Sequence, residues 1–173
     1  MKHIKKVGLI LGMVGLLSLP NTAKASGMLG LEGGYGFGMT DGLDLTYNFG
    51  VTYDKKFGKN MTIGAFGSWQ VAEDIEPLPG LVTSTVYVPY GVTLNFWMGD
   101  NFYIGGNVGM TMVRATISGI TGTGSEVSFG GQAGFLLPLG KSLKLGVGGR
   151  YIYIMETTAI QLAQANGSLM FNF

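Results

Sequence analysis

The sequence predicts an all-β fold, a closed eight-stranded antiparallel transmembrane barrel preceded by a cleavable signal peptide. Three observations carry that expectation. After residue 25, apolar and polar residues alternate with period two in eight separate runs, as in strands whose two faces meet different surroundings. The polar face of these runs is built from Gly, Ser, Thr, Asn and Gln, with few charges. Across the chain, charged residues reach only 12%, with 31 glycines in 173 residues, where an ordinary soluble domain carries about 25% charge.

Residues 1–25 read as a secretory signal. Lys2, His3, Lys5 and Lys6 form a basic start, an apolar run extends from Val7 to Leu19, Pro20 breaks it, and Ala23-Lys24-Ala25 offers a small-x-small cleavage site. The apolar run is shorter than the roughly 20 residues that a helix needs to cross a bilayer. Residues 26–173 then form one barrel domain with no internal linker. Removing the four lysines of the signal leaves 7 Lys+Arg against 10 Asp+Glu, a formal net charge of −3, which argues against nucleic acid as a partner. The chain has no cysteine, so disulfides, thiolate metal sites and lipoprotein acylation are excluded.

The expected strands run from about Met28 to Gly38, Leu43 to Tyr53, Met61 to Val71, Thr83 to Trp97, Asn101 to Val113, Glu126 to Leu137, Leu143 to Ile154 and Ala163 to Phe173. The second sets Leu43, Leu45, Tyr47, Phe49, Val51 and Tyr53 against Asp44, Thr46, Asn48, Gly50 and Thr52. The seventh sets Leu143, Leu145, Val147, Gly149, Tyr151 and Tyr153 against Lys144, Gly146, Gly148, Arg150 and Ile152. A soluble barrel turns its bulky set inward and meets water with Lys and Glu. Here the bulky set fits lipid and the small polar set fits a narrow interior. Strands of this length cross a bilayer when tilted, and only closure leaves no unpaired edge in lipid.

The connections alternate in length. "DKKFGKN", "GDN" and "PLGKS" are short turns, whereas "MTDG", "AEDIEPLPGLV", "ATISGITGTGS" and "METTAIQL" are longer loops. By the usual arrangement the turns face the periplasm and the loops the exterior. Lys55, Lys56, Lys59 and Lys141 lie at the turn end; Asp41, Glu73, Asp74, Glu76 and Glu126 lie in or beside the loops. Pro89 challenges the fourth strand. It has no N–H to donate, which calls for a bulge, a position above the membrane or a break that lengthens the preceding loop.

With the signal, the eight alternating runs and the terminal "MFNF" in view, the chain resembles the small outer-membrane β-barrels of the OmpA/OmpX type. The resemblance implies residence in the bacterial outer membrane as a monomer among lipid and lipopolysaccharide. It also implies a closing strand whose Leu169, Phe171 and Phe173 are read by the barrel-assembly machinery. No peptidoglycan-binding domain follows Phe173, so tethering of that kind is not expected.

Four charges with inward parity are expected to form an interior ionic cluster: Glu32, Asp44, Lys144 and Arg150, with Arg150 bridging Glu32 or Asp44 and Lys144 nearer the periplasmic mouth. Buried charges normally pair; the alternative is solvation by trapped water. Arg114, outward with Met110 and Met112, is either a contact for a lipid phosphate by snorkelling or a solvated rim charge. Outward aromatics such as Tyr35, Phe37, Tyr47, Trp69, Phe96 and Tyr153 would form interfacial belts.

No cofactor or metal is expected, and no catalysis. The only histidine is His3, whereas outer-membrane barrels with hydrolase or acyltransferase activity resemble one another in relying on a histidine. Nucleophilic catalysis by Ser-His or Cys-His is unavailable to residues 26–173. Glycine-rich "GGYGFG" lacks phosphate-loop spacing and precedes a strand instead of a helix. The expected role is structural or surface-interacting. The competing reading is a narrow channel or small-solute transporter, which inner-face glycines such as Gly34, Gly50, Gly64, Gly91, Gly109, Gly134 and Gly146 would favour by leaving space.

Overall fold

The computed structural model describes residues 27–39, 45–72, 83–117, 119–156 and 159–173. Eight strands follow in chain order: β1 (Gly27–Gly38), β2 (Leu45–Lys56), β3 (Met61–Ala72), β4 (Thr83–Met98), β5 (Phe102–Ile117), β6 (Ile120–Pro138), β7 (Leu143–Ile154) and β8 (Ile160–Asn172). Each pairs antiparallel with the next, and β8 pairs back to β1, which closes the barrel. At the seam, Gly27 and Phe173 exchange backbone hydrogen bonds of 2.9 and 3.0 Å. Residues 1–26, the expected signal among them, lie outside the described part, as do Asp41, Asp44, Glu73, Asp74 and Glu76.

The polarity of the wall is inside-out, as the alternation requires. Outward Leu31, Phe49 and Val147 are 51%, 57% and 64% exposed, whereas inward Thr62 and Gln70 are fully buried. In water such an outer face would be costly at about 25 cal/mol per Å² of apolar surface; against acyl chains it costs nothing of the kind. Aromatic neighbours gather toward both rims, with Tyr35 beside Phe37 and Phe129 beside Tyr153 at the loop end, and Tyr53 beside Phe173 at the turn end.

The turns explain themselves locally. Gly58 and Gly99 carry φ of 78° and 73° between β2 and β3 and between β4 and β5, a region that costs other residues a steric penalty. Gly119 does the same at φ 83°, and this corrects one expectation. "ATISGITGTGS" is largely paired strand, with β5 and β6 in register out to Ile117 opposite Ile120. Its run of Thr, Ser and Gly resembles loop composition, yet the threonines favour strand and Gly119 permits a tight reversal. β6 begins to pair with β7 only at Ser128, so its first residues rise beyond that neighbour.

Pro89 breaks nothing. It is fully buried, faces inward and pairs with Thr111 of β5 in continuous register. On the β3 side the ladder is interrupted between Gly67 opposite Tyr90 and Gln70 opposite Tyr87. A strand residue points its N–H toward one neighbour only, and the missing donor of Pro89 falls in that gap. Neither a bulge nor a strand break is needed.

Candidate functional site

The interior is built from every second residue of each strand and is stratified from the turn end to the loop end. At the turn end, Trp97 of β4 points inward, its ring 5.2 Å from that of Tyr103 and 5.8 Å from the Lys144 Nζ. Its indole N–H donates to Thr62 Oγ1 at 3.2 Å. Met28, Leu136 and Met170 are buried beside this layer.

Above it runs a polar network that crosses the lumen. Asn95 Nδ2 donates to Asp54 Oδ1 at 3.0 Å; Thr62 and Thr93 approach the same oxygen at 3.4 and 3.5 Å. Those hydroxyl distances are long, so Asn95 is the principal donor. Gln132 Nε2 donates to Asn95 Oδ1 at 2.7 Å, and Arg150 Nε donates to Gln132 Oε1 at 2.9 Å. Arg150 ends the relay on Glu32, with Nη1 3.0 Å from Oε2 and Nη2 3.3 Å from Oε1. Six strands, β1, β2, β3, β4, β6 and β7, are thereby linked through side chains as well as through the wall.

Burial makes the network count. Side chains of Arg150 and Glu32 are only 4% and 9% exposed. Nη2 donates to Oε1, whereas the shorter Nη1–Oε2 approach is an ion-pair contact without hydrogen-bond geometry, so charge attraction in a desolvated interior carries most of the pair. The Arg150 guanidinium also lies 4.6 Å from the centre of the Phe66 ring, close enough for cation–π attraction.

Phe66 is the floor of an apolar plug at the loop end, where it joins Ala72, Tyr87, Ile152, Ile154 and Leu162, with Val113 and Ile160 packed against them. Among the plug residues, Gln164 donates to Gln70 at 2.8 Å. The pocket beside Glu32, Tyr103, Gln132 and Arg150 holds about 10 Å³, room for a single water at most. Where β4 and β5 meet, an added Cβ on Gly91 would sit 2.7 Å from the Gly109 Cα, and one on Gly109 would sit 2.6 Å from the Gly91 Cα. These two glycines are therefore required by the close approach of β4 and β5 and are not evidence of empty space inside.

Of the residues singled out from sequence, Glu32 and Arg150 come together across β1 and β7. Asp44 lies outside the described residues. Lys144 stays at the mouth above Trp97, apart from the Arg150 pair. Arg114 is exposed on the outer face near the loop end, opposite Val86 and Thr123. Leu169 and Phe171 face outward at the seam opposite Leu31 and Leu29, and Phe173 stacks on Tyr53 at 6.3 Å. Sequence reading missed Asp54, which continues the inward parity of β2 one step past the expected strand end, and the pairing roles of Asn95 and Gln132. Among the described residues no cluster of three or more His, Cys, Asp or Glu side chains could hold a metal ion.

Residues 9–173 match the family model of the outer membrane protein beta-barrel domain. Among solved structures, the chain is similar to Ail, the attachment invasion locus protein of Yersinia pestis, with TM-score 0.64 and 14% identity over 86% of this chain and 99% of that one. It is similar also to Neisserial surface protein A (TM-score 0.59, 10% identity, 87% and 98% coverage). The N-terminal β-barrel domain of OprF from Pseudomonas aeruginosa aligns with TM-score 0.54 and 12% identity, over 86% and 97% of the two chains. At such identities the likeness is one of fold. No curated protein sequence matches at a significant level.

Proposed function

The chain belongs to the outer membrane protein β-barrel domain family, and from that premise we propose that it is a non-catalytic, structural or surface-interacting barrel of the bacterial outer membrane. One observation carries the reading: the lumen is filled, by the Arg150–Glu32 pair at 3.0 Å and by the plug of Phe66, Tyr87, Ile152, Ile154 and Leu162 above it. An eight-stranded barrel leaves an interior just wide enough for its own side chains, and here large residues occupy it at two levels. The wall, with its apolar exterior, is then the working part.

In this reading the turns face the periplasm and the loops the exterior. Residues 1–25 direct export and are removed. The barrel-assembly machinery reads Leu169, Phe171 and Phe173, and the folded monomer lies among outer-membrane lipid and lipopolysaccharide, with Arg114 near a lipid phosphate at the outer rim. Absence of a histidine after His3 supports a role without acid–base or nucleophilic chemistry.

The competing reading as a channel is separated by one experiment. The chain from Ser26 to Phe173, refolded and inserted into a planar bilayer, is expected to give no unitary steps above the bare-membrane leak. Repeated steps of uniform size would overturn the closed-lumen reading and promote the channel.

A further inference from the structure

The turn-end mouth of the barrel holds a pocket of about 270 Å³, lined among others by Met28, Lys56, Lys59, Trp97, Asp100 and Lys144. Three lysines, from β2, the β2–β3 turn and β7, line it against one acidic residue, Asp100. None of the three lysines is ion-paired with a carboxylate among the described residues. Lys144 instead rests over the Trp97 ring, which is itself fixed by the bond to Thr62 and by the neighbouring Tyr103. The pocket thus has an anchored aromatic wall on one side and lysines on the other.

We infer that this mouth is a binding site for a phosphate-class anion. Like charges facing one small volume repel one another, and an anion placed among them relieves that repulsion while accepting several charge-assisted hydrogen bonds. Lysine acts as a point donor to phosphate without demanding a fixed plane, which suits three side chains arriving from different elements. Apolar Met28 and the Trp97 ring lower the local dielectric and strengthen the attraction. The site lies at the turn-end rim of the barrel, which the orientation proposed above places in the periplasm. Two sources offer the same chemistry there, a free phosphate compound and the headgroup of an inner-leaflet phospholipid leaning over the rim.

The chain has two tryptophans, Trp69 and Trp97, so Trp69→Phe leaves Trp97 as the sole reporter at the site. Inorganic pyrophosphate is titrated into this variant in a nonionic detergent, at constant ionic strength set by sodium chloride. A saturable change in Trp97 emission is expected, with affinity about tenfold weaker after Lys144→Gln and absent after Lys56→Gln, Lys59→Gln and Lys144→Gln combined; loss of one charged hydrogen bond corresponds to that factor. A response to bilayers of phosphatidylglycerol over phosphatidylcholine, without one to pyrophosphate and removed by the same substitutions, assigns the site to the lipid headgroup. No response to either probe, or one that persists unchanged in the triple variant, overturns the inference. Urea unfolding checks that each variant is folded, and Lys144→Gln alone decides if the triple variant is not.

Discussion

Replacing Arg150 by alanine is expected to cost the folded barrel about 3 to 5 kcal/mol, because it leaves the Glu32 carboxylate buried without a cation. The loss exceeds that of a surface pair, which is worth about 0 to 1 kcal/mol, since the two side chains are only 4% and 9% exposed. Arg150 also donates to Gln132 and covers Phe66, so three residues in two layers of the lumen lose a partner at once. Exchanging both members, Arg150→Met with Glu32→Met, is expected to recover most of the loss, as buried ion pairs replaced by apolar residues of similar volume are often neutral or stabilising. Urea unfolding from lipid bilayers, followed by tryptophan emission, supplies the comparison. An Arg150→Ala barrel within about 1 kcal/mol of the parent, the range of a surface pair, would mean that trapped water solvates Glu32 as well as the guanidinium does.

Truncating Phe66 to alanine is expected to be as damaging, at about 3 to 5 kcal/mol for a large aromatic deleted from a packed interior. Phe66 is 2% exposed and joins the ion-pair layer to the plug. Its removal therefore costs transfer energy, opens a cavity and withdraws the ring from Arg150. Ile152→Val, which deletes one methylene from the same plug, grades the effect at about 0.5 to 1.5 kcal/mol. Equal losses for the two substitutions would show that the plug is not packed as a unit, contrary to its geometry.

Much of this architecture was legible in the alternation of the sequence because a membrane barrel couples parity directly to environment. Leu31, Phe49 and Val147 could be placed outside, and Glu32 and Arg150 inside, without knowing any contact. That Glu32 finds Arg150 follows from closure, which puts β8 between β1 and β7 and brings their inward residues across one narrow lumen. Asp54 was hidden by a strand end set at Tyr53, three residues before the observed end at Lys56, although it extends the series Asn48, Gly50, Thr52. Phe66, Ile154 and Leu162 were less readable, for apolar residues at inward positions contradict the polar-interior rule; Ile152 among Arg150 and Gly148 was the visible sign. The extended β5–β6 hairpin escaped because Thr, Ser and Gly serve loops and strands alike, and only pairing between Ile117 and Ile120 distinguishes them. Pro89 could not be resolved from sequence at all, since its acceptability depends on which neighbour its missing N–H would have faced.

Central to everything above is the claim that the bulky face of the wall meets lipid and the small polar face meets the lumen. The two tryptophans divide between these faces: Trp69 is outward, 39% exposed and stacked on Phe49, whereas Trp97 is inward and bonded to Thr62. Single-tryptophan chains carrying Trp97→Phe or Trp69→Phe, refolded in bilayers whose acyl chains bear bromine, report each face alone through contact quenching. Trp69 is expected to lose most of its emission and Trp97 to keep most of its own. Strong quenching of Trp97 with Trp69 untouched would contradict the inside-out barrel.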